Sequence, residues 1–288
     1  MDIFFTDNII SVHKNGKEWL NKLPKLLEKL CADWGLILLS PFERLTYSYV
    51  VRVQHQNQTF VLKCTPPCER TNREIDWYLS GVKGCPSLLK YSKENGALLL
   101  EILEPGSSAK ELVRANQDDE ATRAIAFAIQ NLETSEKLRD SFLHIREFDK
   151  AFLKLRPHVD ATLVDKAQSL LKDLCKDTTT DCLLHGDIHH DNVLKSGKIW
   201  KVIDPHGYIG PKAFETGAMI RNPNDCFPDD KPLGMILNRR LDIMAEVLLY
   251  ARDEIQAWSF VYTMIATAWS LGDHGEVPEE HLEILKLL

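Results

Sequence analysis

Asp187 and Asn192 stand five residues apart in His185-Gly186-Asp187-Ile188-His189-His190-Asp191-Asn192. Asp204 follows twelve residues later, at the end of the apolar run Ile199-Trp200-Lys201-Val202-Ile203. The spacing D-x-x-x-x-N on a short loop between apolar strands, with a second Asp closing the next strand, is the pattern of phosphoryl-transfer catalytic loops. That chemistry needs a held nucleotide, a divalent cation against the phosphate charge, and a carboxylate that accepts the proton of the attacking hydroxyl. Asp187 is the candidate base, a role worth ~10²–10⁴-fold in rate. Asn192 and Asp204 offer the hard oxygen donors that Mg²⁺ prefers. Asp and Asn also cap ordinary turns. The flanking strands, the third acid in register and a Lys–Glu pair upstream weigh against that plainer reading.

The pair is Lys63, at the end of Phe60-Val61-Leu62, and Glu74, in the helix expected over 72–79. A lysine there would contact nucleotide phosphates, and a glutamate would hold it by an ion pair. Glu69 is the rival partner should the helix begin earlier. A phosphate-covering loop should lie near Leu45–Val50. Thr46-Tyr47-Ser48-Tyr49 contains no glycine, which leaves Ser48 as a candidate phosphate contact through its hydroxyl and backbone N–H. Glu101-Ile102-Leu103 is the candidate adenine-facing segment, with Glu101 and Leu103 reading the base through backbone groups.

His185, His189, His190 and His206 crowd the same region, so a transition-metal hydrolase is an alternative. No HExxH helix accompanies them, and His185 is expected to brace the loop through backbone hydrogen bonds. Cys64 and Cys68 lack a second close Cys pair or a His pair at finger spacing, which weighs against structural zinc. A non-catalytic binding module would be expected to have lost Asp187, Asn192, Asp204 or Lys63, and all four are present.

Elements able to position these residues are legible in the periodicity. Trp19, Leu20, Leu23, Leu26, Leu27 and Leu30 recur at helical spacing before Gly35, a C-terminal stop. Leu36–Leu39, Tyr49–Val53 and Thr59–Leu62 are β-type runs, the last two forming a hairpin across the polar Gln54–Gln58 segment. Leu88–Tyr91 and Ala97–Leu103 flank Asn95-Gly96, a two-residue turn signal. Pro105-Gly106-Ser107-Ser108 has the composition of a hinge, its serines placed to cap the next helix. Residues 108–176 are mostly helical, clearest over Ala121–Leu132 and Leu163–Leu174, and a helical pattern runs from about Leu237 to Leu271. The expected fold class is α+β: an N-terminal lobe, 1–103, with an antiparallel sheet, and a larger, mainly helical lobe, 104–288.

The 288 residues can bury a sizeable core. A net charge of −7 argues against nucleic acid as a partner. Met1-Asp2-Ile3-Phe4-Phe5-Thr6-Asp7 lacks the basic region of a secretory signal, and Trp258–Trp269 is too short and polar to span a bilayer. Seven cysteines without a regular framework suit a reducing cytoplasm.

Leu184-His185-Gly186-Asp187-Ile188-His189-His190-Asp191-Asn192-Val193-Leu194 resembles the catalytic motif of aminoglycoside phosphotransferases. Its continuation, Ile203-Asp204-Pro205-His206-Gly207-Tyr208-Ile209-Gly210-Pro211 and then Phe214-Glu215-Thr216-Gly217-Ala218-Met219-Ile220-Arg221-Asn222-Pro223, is similar to the streptomycin 6-kinase branch, grouped with hydroxyurea resistance kinases. The resemblance covers the C-terminal half. It implies a bilobal protein-kinase-like fold and ATP-dependent phosphorylation of a small-molecule hydroxyl. Asp187 would be the base, Asn192 and Asp204 the Mg²⁺ ligands and Lys63 the phosphate lysine. His206 departs from the pattern, standing where that family carries lysine.

Aminoglycosides are polycations, so an acceptor site for one should present carboxylates. From Asp204 to Leu288 there are fourteen Asp and Glu against seven Lys and Arg. Asp273, at the end of a long apolar helix, is the first candidate acceptor contact, followed by Glu215, Asp225 and His190. Glu215 has a structural alternative in a pair with Arg221, and Trp258, Tyr262, Met264 and Trp269 have the composition of core. The alternative acceptor class is a metabolic alcohol or sugar.

Overall fold

The computed structural model describes residues 7–43, 45, 47–134, 141–228 and 231–288. Met1–Thr6 and Thr46, on which part of the sequence reading falls, lie outside them. Two compact units emerge, Met1–Leu79 with Pro86–Leu103, and Ser80–Cys85 with Glu104–Leu288.

The first unit opens with α1 (Asp7–Val12) and α2 (Gly16–Trp34). Leu23, Leu27 and Leu30 fall on one buried face of α2, and the helix stops where Gly35 turns left-handed (φ 68°) and returns its N–H to Cys31 O. The strands β1 (Ile37–Pro41), β2 (Tyr49–His55), β3 (Gln58–Cys64), β4 (Leu88–Ser92) and β5 (Ala97–Glu101) form one antiparallel sheet in the order β1-β2-β3-β5-β4. Val51, Val53, Leu62, Ala97 and Leu99 bury with the α2 leucines in one core.

Two turns exchange the expected roles. The β2–β3 hairpin pairs His55 with Gln58, and the two residues between them, Gln56 (φ 46°) and Asn57 (φ 65°), both adopt positive φ without a glycine. The Asn95-Gly96 signal instead sits in a four-residue connection, because β4 and β5 close at Ser92 and Ala97. Only Gly96 is left-handed there, and a Cβ on it would lie 2.0 Å from Thr65 O. This glycine lets the turn lie against the end of β3, where Thr65 N–H donates to Gly96 O at 2.9 Å. Helix α3 (Glu69–Leu79) starts three residues before the apolar pattern, because its first turn is polar and carries no hydrophobic period.

In the second unit the expected hinge is a strand: β6 (Pro105–Ser108) pairs with β8, Pro105 opposite Ser196 and Ser108 opposite Leu194. Ser108 precedes α4 (Ala109–Arg114) without a side-chain cap bond. Helices α5 (Asp118–Gln130), α6 (Asp149–Phe152) and α7 (Ala161–Leu174) follow, then β7 (Asp181–Leu184), β8 (Val193–Ser196), β9 (Ile199–Val202) and β10 (Tyr208–Pro211). β7 pairs antiparallel with β10, and β6, β8 and β9 make a three-stranded sheet. The pattern from Leu237 to Leu271 is two helices, α8 (Leu233–Leu248) and α9 (Arg252–His274), followed by α10 (Glu279–Leu287). They separate at Leu249 (φ 60°), whose exposed side chain interrupts nothing in the apolar count.

Helix α9 is buried through its middle from Trp258 to Thr267. Ser259, Thr263 and Thr267 enter that core because each hydroxyl donates to the carbonyl four residues back, at 2.8, 2.8 and 2.7 Å. Phe152, Leu171, Leu184 and Phe214 pack around it.

The Gly96 contact makes a quantitative expectation. Gly96→Ala should destabilise by more than ~1 kcal/mol, since it combines a disfavoured φ with a backbone clash. Gly197→Ala, at φ 56° but facing open space, should cost less, a difference that denaturant unfolding of the two variants will read.

Candidate active site

The loop between β7 and β8 carries Asp187, and main-chain bonds shape it before any side chain of the site takes part. Gly186 is left-handed (φ 83°), and a Cβ there would lie 2.6 Å from the Tyr208 ring. The buried Glu215 carboxylate accepts the N–H of His185 at 2.5 Å and of Gly186 at 3.0 Å. His185 is buried as expected for a brace. Its Nε2 donates to Ile203 O at 2.8 Å while its Nδ1 accepts the Asp187 N–H at 3.2 Å. Those two bonds require the neutral ring, and burial pushes its pKa down to about 4.

Asp187 is enclosed by donors. Tyr262 Oη lies 2.8 Å from Oδ1 and 2.9 Å from Gly186 O, one hydroxyl proton shared between two acceptors. Asn192 Nδ2 donates to Asp187 O at 3.0 Å and lies 3.4 Å from Oδ2, which His206 and His189 face at 3.5 and 3.6 Å. Burial alone would raise the Asp187 carboxyl, but His189, His206 and Arg221 together hold it well below the usual carboxylate range. The group is an ionised carboxylate at neutral pH. Burial, and then the Asp187 charge, push the Tyr262 hydroxyl well above its ordinary value, so it remains a donor.

Asn192 and Asp204 meet through strand pairing. Val193 opposes Val202, and the next bond runs from Ile203 N–H to Asn192 O at 2.9 Å. The residues on either side of this bond therefore sit at one end of the β8–β9 hairpin. Asp204 is exposed and held left-handed at φ 62°, a conformation uncommon outside glycine. Since Asn192 turns its amide nitrogen to Asp187, its Oδ1 is the oxygen left for another partner. An amide oxygen and a carboxylate at adjacent strand ends suit Mg²⁺, which keeps several waters and takes few protein ligands. A transition-metal centre does not fit. Among the described residues no group of three or more His, Cys, Asp or Glu is arranged to hold one.

In the first unit Lys63 Nζ lies 2.7 Å from Glu74 Oε1, both side chains buried. The helix does begin at Glu69, yet that residue pairs with Arg73 at 3.2 Å and leaves Lys63 to Glu74. Ser48 Oγ is 2.7 Å from Thr65 Oγ1, so its hydroxyl is already engaged inside the unit. The Glu101 N–H donates to Ser87 O and its carboxylate accepts from Ser87 N and Oγ. Of the two segment residues, Leu103 lies beyond the ladder, which ends at Glu101.

The four acceptor candidates separate. Glu215 is neither an acceptor contact nor the partner of Arg221, because both its oxygens are spent on the loop. His190 is fully buried, and neither ring nitrogen has a partner among the described residues, so it faces no acceptor. Asp225 is exposed, with Lys110 at 2.8 Å and Arg114 at 3.3 Å already balancing its charge. Asp273 is exposed in the last turn of α9. It shares a helix face with Tyr262 and Trp269, at spacings of eleven and four residues. Trp269 packs its edge near His206 and Tyr262, with ring centres 5.4 and 5.9 Å away. Tyr262 belongs to the site although its composition suggested only core. The signal available in the sequence was a phenol inside an apolar helix, since a buried Tyr hydroxyl needs a partner.

Residues 41–274 match the family described as aminoglycoside/hydroxyurea antibiotic resistance kinase. A streptomycin 3''-kinase of Klebsiella pneumoniae is 27% identical over 78% of this chain and 85% of its own. A streptomycin 6-kinase of Streptomyces glaucescens is 26% identical over 90% of this chain and 87% of its own. Among solved structures, a choline/ethanolamine kinase family protein from Mesorhizobium loti superposes with a TM-score of 0.65 at 13% identity, covering 91% of this chain and 92% of that one. The shared fold is that of the protein-kinase-like phosphotransferases. With its Asp187–Asn192 loop, its paired strand ends and a match across most of its length, the chain belongs to the aminoglycoside/hydroxyurea antibiotic resistance kinases.

Proposed function

We propose that this kinase transfers the terminal phosphoryl group of ATP to a hydroxyl of streptomycin or a related aminoglycoside. The observation that carries the proposal is the Asp187 carboxylate, ionised and held by Tyr262 and the braced loop. The acceptor hydroxyl would approach Asp187 and pass it a proton as the oxygen attacks the phosphorus. Asn192 and Asp204 would hold Mg²⁺, which when bound supplies positive charge to the phosphate oxygens. Lys63, fixed by Glu74, would contact the nucleotide's inner phosphates, Ser48 would add its backbone N–H, and the backbone near Leu103 would meet the adenine.

Asp273 is the acid best placed to attract a cationic acceptor. It lies on the α9 face that passes Asp187, and it is exposed. Two streptomycin kinases among the relatives support this acceptor class. The likeness to a choline/ethanolamine kinase family protein concerns the fold alone at 13% identity, and so does not favour a metabolic alcohol. Among the described residues no helix is long and apolar enough to cross a membrane. The seven cysteines, all thiols, fit a reducing cytoplasm, which is the compartment we infer.

Release of ADP from Mg²⁺-ATP, measured across streptomycin, other aminoglycosides and small alcohols, tests the reading. Streptomycin-stimulated turnover should fall ~10²–10⁴-fold in Asp187→Ala, with nucleotide binding retained. Asp204→Ala should lose the Mg²⁺-dependent part of nucleotide affinity as well. Undiminished turnover in Asp187→Ala would end the base assignment.

A pH measurement tests the brace beneath the base. Burial lifts the Glu215 carboxyl from 4.5 to about 7, against the pull of its two N–H donors. The folded protein therefore binds this proton more tightly than the unfolded chain does. The stability contributed is complete below 4.5 and is lost as the pH rises through about 7. Between those values the wild type should lose stability relative to Glu215→Gln, which has no proton to release. Parallel unfolding curves for the two proteins across that window would show that Glu215 does not titrate there.

A further inference from the structure

Arg221 closes the 3-10 turn Ala218–Arg221 beside the catalytic loop. Its guanidinium carbon is 5.9 Å from the centre of the Tyr262 ring, whose hydroxyl lies 2.8 Å from Asp187 Oδ1. Its Nε is buried and has no hydrogen-bond partner, and among the described residues it makes no ion pair. The nearby acids have none to offer it. Glu215 is occupied by the N–H groups of His185 and Gly186, and Asp187 by Tyr262 and Asn192.

A second arginine at the same turn provides the contrast. Arg240 is fully buried and clamps Asp118 with two bonds, at 2.9 and 2.6 Å. It also reaches the carbonyls of Met219, Ile220 and Asn222, at 3.4, 3.3 and 2.5 Å. Arg240 is thus consumed in holding the turn that presents Arg221. A guanidinium cannot shed its proton in a protein, so Arg221 keeps a full cation near Asp187 with no anion bonded to it.

We propose that the anion is the phosphoryl group in transfer, and that Arg221 contacts its oxygens. The assignment rests on the reading of Asp187 as the base. A hydroxyl hydrogen-bonded to Asp187 lies ~2.6–3.2 Å from the carboxylate, and the phosphorus it attacks lies ~3–3.5 Å further on. The transferred group is therefore within about 6–7 Å of Asp187, in the neighbourhood of the guanidinium. As the acceptor oxygen bonds to phosphorus, its proton passes to Asp187. The bond to the bridging oxygen breaks, and that oxygen leaves on ADP with the electron pair. The oxygens of the transferred group stay anionic throughout, and they are what a fixed cation stabilises. A cationic acceptor is the opposite case, since Arg221 repels it.

The test compares kcat and both KM values for the wild type, Arg221→Met and Arg221→Gln, with ATP and streptomycin as substrates and guanidinium ion as an additive. The expected result is a kcat lowered ~10²–10³-fold with both KM values within about threefold, and partial recovery of kcat by added guanidinium. Asp187→Ala should show no such recovery. The assignment is overturned by a kcat within about threefold of wild type, or by a loss confined to the acceptor KM. It is also overturned if neither variant folds, since Arg221 is then a structural anchor. A silent wild type would sink the phosphotransfer reading itself, whereas an active wild type with indifferent Arg221 variants sinks only this inference.

Discussion

The catalytic region depends on one buried carboxylate. Glu215 takes two successive main-chain N–H groups, those of His185 and Gly186, at the point where the chain leaves β7. A buried N–H left unmade costs ~1–3 kcal/mol. By satisfying both at once, Glu215 fixes the direction in which the loop departs, and with it the position of Asp187. His185 then ties the far side of the loop to Ile203, next to Asp204. Base and metal-ligand candidates are thus positioned by the same few bonds.

Charge around Asp187 is managed by shape as much as by pairing. Its carboxylate receives a phenol hydroxyl and an amide, with two histidines facing one oxygen and no lysine or arginine bonded to it. The cationic side chains nearby lower the carboxyl's proton affinity, and a bidentate arginine bonded to it would lower it further. Arg240 shows the other use of a guanidinium. It is spent on Asp118 and three carbonyls, with every contact internal.

The first unit solves a different problem. Lys63 and Glu74 are both buried and 2.7 Å apart, on β3 and α3. A buried pair adds little net stability, but loss of one partner strands a charge at a cost of ~3–5 kcal/mol. The consequence is orientation: the ammonium stays at the end of β3 for as long as the carboxylate is there. Gly96 serves the same strand end by letting the β4–β5 turn lie against Thr65.

Residue type and spacing alone determined the Asp187–Asn192 loop, the Asp204 strand end, the Gly35 stop and the main helices. Each depends on neighbours close in sequence or on a repeat of one face, so local rules suffice. Tertiary structure alone decided that Glu215 braces the loop, that Tyr262 touches Asp187, that His190 is buried and that Pro105–Ser108 is a strand. It also decided that Leu249 separates two helices and that Gln56-Asn57 makes the tight turn. Glu215 and Tyr262 lie about thirty and seventy-five residues from the groups they hold, and Pro105 lies about ninety from Ser196. A hydrogen bond at that separation leaves no period and no local composition, because the partner exists only once the chain has folded back on itself.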